Sequence, residues 1–294
     1  MKSAPFEYFR VASVDEACAM LASDDGARVI AGGQTLVPMM AMRLARPTRL
    51  VDISRIGELS YIRSDGDAIT IGATTRQCLI ERDALIAAEL PLLARAIPFV
   101  GHAATRARGT IGGSLANADP AAELSLIAAT LDAVLGYRVG GRTEKMAVHD
   151  FHIGPMTTSL PGDAILTSVQ FPVWRGKVGV GFHEVNARRS DFAFVAAAAQ
   201  VEINDEGRCK RVAIGVGAAT DFPIRLLHAE EQLKGGPLDP ASVNGAVVEA
   251  LADVATLSDL HASAEYRRRV AASLATRAVA DALSHALGRK RRAN

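Results

Sequence analysis

The sequence predicts a fold of mixed helices and strands in three lobes, residues 1–55, 56–174 and 175–294. Three observations predict it. Over residues 13–53 a helical pattern alternates with short apolar strand runs. Between residues 61 and 171 come a hairpin, helical runs and further strands. Beyond Val173 the character changes to a strand–turn–strand pair followed by helices, with Pro172 and the glycine-rich stretch 176–181 at the boundary.

The elements follow in order. Ser13-Val14-Asp15-Glu16 is a capping-box pattern, Ser at N-cap and Glu three residues on. It opens a helix over 14–22, with Val14, Ala17, Cys18 and Leu21 on one face. Asp24-Asp25-Gly26 ends that helix, and 27–31 reads as a strand. Gly32-Gly33 turns the chain into a short helix over 36–44, with Pro38 near its start, and 49–53 is another strand. The first lobe is therefore a small β-α-β unit. In the second, Ser64-Asp65-Gly66-Asp67 joins 61–63 to 68–71 as a hairpin. Helices are expected at 75–80, 90–96 and 120–131, the last capped by Asp119 with Pro120 at N1, where proline forfeits no hydrogen bond. Strands are expected at 133–139, 145–148 and 164–171. In the third lobe, 194–203 and 209–216 flank the turn Asp205-Glu206-Gly207, and helices follow at 224–233, 241–255 and 264–287.

Composition excludes several function classes. Lys and Arg (33) nearly balance Asp and Glu (32), so a net charge of +1 draws the chain to neither nucleic acid nor an anionic membrane. The run Arg289-Lys290-Arg291-Arg292 reads as a solvated tail. The N-terminal MKSAPFEYFR has no apolar signal-peptide core, and no window is long and apolar enough to span a bilayer. Cys18, Cys78 and Cys209 stand apart, without metal, iron–sulfur or disulfide spacing. A reduced, cytoplasmic protein is expected.

Two stretches carry chemistry: AGGQTLVP at 31–38 and GTIGGSLANADPAAE at 109–123. Each sets paired glycines beside Thr or Ser and ahead of a helix. Glycine lets a ligand approach the main chain, and consecutive amides in such a turn can form a concave anion nest. A helix N-terminus just beyond adds free N–H groups. One such turn is an ordinary tight connection. Two suit a ligand with two anionic groups, and a diphosphate is the candidate. The G-x-G-x-x-G fingerprint is absent from the first βα turn, Gly179-Val180-Gly181 and Gly215-Val216-Gly217 lack the strand–helix context, and no Walker pattern occurs. No Ser-His-Asp, Cys-His or H-x-x-x-H arrangement stands out, so neither a catalytic side chain nor a metal site is predicted. His102 and His183 could face a ligand, although a lone histidine is ordinarily a surface or hydrogen-bonded core residue. Arg106 and Arg108 could neutralise a diphosphate or simply be solvated. Trp174 and Tyr61 read as packing residues.

Together AGGQTLVP and GTIGGSLANADPAAE closely resemble the FAD-binding medium subunit of molybdenum hydroxylases, the flavoprotein family of xanthine dehydrogenase and aerobic carbon-monoxide dehydrogenase. The resemblance covers nearly the whole chain. Phe6 and Tyr8 fit an F-x-Y, Ile71-Gly72-Ala73-Thr74 an I-G-A-x-T, Asp191-Phe192-Ala193 a D-F-A, and Tyr266-Arg267-Arg268 a late Y-R-R. Ile165-Leu166-Thr167 and Phe171-Pro172 fit a strand before the last lobe.

The resemblance implies an α+β protein: a two-lobed, non-Rossmann FAD-binding domain of PCMH-like type, then a C-terminal α+β domain with a small sheet and helices. It implies noncovalent FAD gripped by Ala31, Gly32, Gly33, Gln34, Thr35 and Leu36 from one lobe and by Thr110, Ile111, Gly112, Gly113 and Ser114 from the other. Thr74, Asn117 and His183 join this candidate set. Asp119 and Glu123 would lie near the ribityl or adenosine-side hydroxyls, and Ile165 and Leu166 beside adenine or flavin. Asn117 stands where the family often has His, and Glu123 where it often has Asp. Arg188-Arg189-Ser190-Asp191-Phe192-Ala193 is one residue shorter than R-R-x-G-D-F-A. The implied partners are a small subunit with two [2Fe–2S] clusters and a large subunit with a molybdopterin cofactor. This chain would pass their electrons to an external acceptor. A stand-alone FAD oxidase or reductase, and a non-redox diphosphate-nucleotide module, are the alternatives.

Overall fold

The computed structural model describes residues 2–289, so Lys290, Arg291 and Arg292 of the basic run lie outside the described residues. The architecture is α+β, with three hydrophobic cores. The first is built on a parallel sheet in which Arg49–Asp52 lies between Glu7–Arg10 and Ala27–Ile30. Glu7–Arg10 has no periodic signature because all four residues are exposed; pairing with Arg49–Asp52 makes it a strand. Helix Val14–Ala22 buries Val14, Ala17, Cys18 and Leu21 against this sheet. The Ser13 hydroxyl accepts from the Glu16 amide at 3.2 Å, and the Glu16 carboxylate reaches back to the Ala12 amide at 2.9 Å. Helix Leu36–Ala41 is shorter than its apolar run.

The second core lies beneath an antiparallel sheet in the order Ile62–Ser64, Ala68–Gly72, Ile165–Pro172, Val134–Val139, Arg142–Ala147. Ile165–Pro172, last in the chain, occupies the centre, and Ile165 also enters the first core. Helices Gln77–Arg82, Pro91–Ala96 and Glu123–Thr130 pack here, with Ile69, Ile71, Leu93, Leu126 and Phe171 buried between them and the sheet.

The third core joins an antiparallel sheet, ordered Lys177–Asn186, Ala193–Ile203, Cys209–Gly217, Ile224–Arg225, to the long helix Ala264–Ala286. One expectation changes here, at residues 224–233. Residues 176–181 are largely the start of an edge strand: a Cβ on Gly179 would stand 1.9 Å from the Ala282 carbonyl oxygen, and one on Gly181 2.0 Å from that of Ala278. These glycines let the helix backbone lie directly on the sheet. Residues 224–233 are a strand pair partner, Ile224–Arg225, followed by helix Leu227–Leu233, because Ile224 is captured by Val216 across the sheet. Among the described residues no helix is long and apolar enough to cross a membrane.

Candidate functional site

Where the first two lobes meet, a cavity of about 1240 Å³ opens, larger than the range of roughly 300–1,000 Å³ typical of small-molecule pockets. One wall is Ala31, Gly32, Gly33, Gln34, Thr35 and Leu36; the facing wall is Thr110, Gly112, Gly113, Ser114 and Asn117. Asp119, Glu123, Ile165 and Leu166 complete the set that the structure brings together. Three candidates lie elsewhere. Ile111 points into the second core at 1 % exposure. Thr74 is buried beside the cavity-lining Ala73, its hydroxyl without a partner. The His183 ring, on strand Lys177–Asn186, instead meets the Asp281 carboxylate at 3.0 Å.

The two glycine stretches are built differently. In the first, Gly33 sits at φ +68°, a left-handed conformation that costs an L side chain energy. The amides of Gly33, Gln34 and Thr35 find no acceptor among the described residues. The Gln34 side chain donates instead to the Gly32 carbonyl at 3.1 Å, leaving the cavity side of the turn open. These residues are half-buried at the cavity wall, and successive free amides in such a turn can form a nest for an acceptor-rich ligand.

The second stretch is not a turn ahead of a helix starting at Asp119. It is itself helix Ile111–Asn117, with Thr110 as N-cap, its hydroxyl accepting from Gly113 N at 3.1 Å. Its leading amides are already engaged: Ile111 N with Thr75 O (3.2 Å), Gly112 N with Ala73 O (2.9 Å) and Ser114 N with Thr110 O (3.1 Å). They form no open nest. The contribution of Gly113 is space, since an added Cβ would meet only the Thr110 hydroxyl, at 2.8 Å, on the cavity side. Asp119 likewise is no helix cap. Its carboxylate accepts from Ala121 N at 2.9 Å in a tight turn, and the next helix, Glu123–Thr130, starts after Ala122 without a side-chain cap.

An acidic group gathers at this end of the cavity. Burial raises the Asp119 carboxyl, against the bond from Ala121 N. Burial also pushes Glu123 up to about 7, with the neighbouring Asp119 charge adding to the rise. Glu184, on the third-core sheet, is pushed up to about 8 by burial and then by the Glu123 charge. One Glu184 oxygen takes Asn186 Nδ2 at 2.8 Å, and the other has no partner. Near neutral pH Glu184 therefore keeps its proton and Glu123 is partly protonated, so that Glu123 can both donate and accept.

Several lining residues lie outside the candidate set, although Ser190, Asp191 and Phe192 fall in the segment 188–193 that carries the D-F-A resemblance. Ser190, Asp191 and Phe192 reach the cavity from the C-terminal domain, Phe192 with 71 % of its surface exposed. Pro161, Gly162, Asp163 and Ala164 close one end, and Asp25 and Arg28 line the first-lobe side. A Pro-Gly-Asp turn is legible as a turn, but which cavity it covers is a tertiary fact. His102 lines the cavity, whereas Arg106 is committed to Glu81, both nitrogen–oxygen distances being 2.9 Å. Trp174 packs under Arg211, with 3.6 Å from guanidinium to ring centre.

Comparison with known proteins gives a consistent picture. Residues 4–174 match the family model described as FAD binding domain in molybdopterin dehydrogenase, and residues 181–282 match the CO dehydrogenase flavoprotein C-terminal domain. The alpha subunit of the 6-hydroxypseudooxynicotine dehydrogenase complex of Paenarthrobacter nicotinovorans is 35 % identical, covering 97 % of either chain. The carbon monoxide dehydrogenase medium chain of Afipia carboxidovorans is 34 % identical over 96 % of this chain and 98 % of its own. Among solved structures, a chain of quinoline 2-oxidoreductase from Pseudomonas putida 86 superposes with a TM-score of 0.92 at 32 % identity, covering 98 % of this chain and all of its own length (100 %).

Proposed function

The chain belongs to the FAD-binding family of molybdopterin dehydrogenases, as a medium subunit of molybdenum hydroxylases, and from that premise we propose that it is their electron-transfer component. When bound, FAD would supply the redox chemistry, and this chain would hold it between a [2Fe–2S] small subunit fed by a molybdenum subunit and an external acceptor. The observation that carries this reading is the run of unpartnered amides at Gly33, Gln34 and Thr35 on a cavity whose opposite wall, at Gly113, carries no Cβ.

The chain's own residues bind and orient. The amides of the first turn would donate to phosphate oxygens, and the Cβ-free Gly113 would let the diphosphate approach the facing helix. Glu123, partly protonated near neutral pH, offers a donor and an acceptor to cofactor hydroxyls. Ile165 and Leu166, each under 10 % exposed, supply an apolar surface for a ring. The lining holds no cysteine, and His102 is its one histidine, which supports noncovalent attachment. The test is the visible spectrum of the purified chain before and after a reductant. Flavin bands that bleach, from a pigment released on acid precipitation, support the proposal. A colourless chain that takes up no FAD on incubation removes its basis.

A further inference from the structure

Behind the first glycine turn lies a second recess of about 540 Å³. It shares residues 30–34 with the large cavity, so this turn forms the wall between the two. The recess is strongly basic: Arg10, Arg55, Arg76 and Arg108 line it, and Asp52 is its one carboxylate. Asp52 is already engaged by the Tyr8 hydroxyl, by Ser54 N at 2.8 Å and by Arg10 at 3.4 Å. Arg55, Arg76 and Arg108 are exposed and form no ion pair among the described residues. The Arg76 guanidinium only donates to the Ala107 carbonyl, at 3.3 Å. In a chain of net charge +1, these guanidinium groups are a local excess and not a reflection of composition. Apolar surface borders them: Val37, half exposed, lines the recess, and Met42 and Leu44 follow on the same segment at 51 % and 71 % exposure.

We propose that this recess is the docking seat for an acidic segment of the electron-donating iron–sulfur subunit. The inference rests on the electron-transfer role above and adds where the donor binds. Guanidinium forks match carboxylates in a two-toothed geometry, and exposed arginine beside apolar surface is the composition of a protein interface rather than of a solvated face. Location adds the functional reason. Electron transfer weakens steeply with distance, and here a docked partner is separated from the cofactor cavity by the glycine turn alone. A basic seat also steers an acidic partner during encounter and fixes its orientation.

The test titrates the FAD-loaded full chain with the purified iron–sulfur subunit by calorimetry, at low and high salt, beside the double variants R55E/R108E and R55Q/R108Q. Association should weaken with salt, fall by about tenfold or more on charge reversal, and fall less on neutralisation. Flavin content and melting temperature should match the unaltered chain in both variants, which separates lost docking from lost folding. Equal partner affinity in all three proteins overturns the proposal. So does saturable binding of inorganic phosphate that the variants lose while partner association persists, which would make the recess a free-anion site. An FAD-loaded chain that associates with no iron–sulfur subunit at any salt sinks the electron-transfer reading as well.

Discussion

Replacing Glu123 by Gln should make the FAD-free chain more resistant to unfolding at alkaline pH and leave it little changed in mild acid. The folded chain holds the Glu123 proton up to about pH 7, whereas the unfolded chain releases it near 4.5. Between those values the native state binds more protons than the unfolded state, so wild-type stability falls as pH rises. At 1.36 kcal/mol per unit, a rise from 4.5 to about 7 amounts to about 3 kcal/mol lost by pH 8. That figure is a ceiling, because Glu184 is raised in part by the same Glu123 charge and relaxes when it is removed. Glutamine has nearly the shape of protonated glutamate and never ionises. Urea denaturation at pH 5 and pH 8 should therefore show the two proteins within about 1 kcal/mol at the lower pH, and the variant ahead by up to about 3 kcal/mol at the higher. Glu184→Gln should shift stability in the same direction, since burial raises that carboxyl as well, to about 8. A Glu123→Gln difference of the same size at both pH values would refute the claim that the site buries a proton.

Gly33→Val places a β-branched residue at φ +68°, and Gly113→Val fills the cavity face opposite; each should purify without FAD, and full flavin absorbance in both would contradict the cradle. Thr110→Ala removes the hydroxyl that accepts from Gly113 N and should cost about 1 kcal/mol in thermal melts, recovered by Thr110→Ser. Gly181→Ala sets a Cβ 2.0 Å from the Ala278 carbonyl oxygen, a clash with backbone that should destabilise the chain by about 1–3 kcal/mol in denaturant, and unchanged stability would mean the helix is free to lift away.

Local signals in the sequence carried the elements whose causes are local. The Ser13 cap places helix Val14–Ala22 at the expected residues because capping and amphipathic period agree there. They failed where distant partners decide. Glu7–Arg10 is a strand only because Arg49–Asp52 runs beside it, and Ile224–Arg225 leaves the helix pattern because Val216 claims it. The candidate site divides along the same line, and its glycines show why. A sequence tells that a Cβ is forbidden; it does not tell what occupies the missing space. At Gly32 the occupant is the Arg108 carbonyl oxygen, 2.4 Å from an added Cβ, and at Gly112 it is Ala73, at 2.6 Å. These first members of each pair serve protein contact, Gly32 joining the two glycine stretches to each other. Gly33 and Gly113, the second members, serve the cavity through a left-handed backbone in one case and an open face in the other. Gly32 thus closes the first lobe onto the second, Gly112 packs the second lobe on itself, and the second member of each pair lines the cavity.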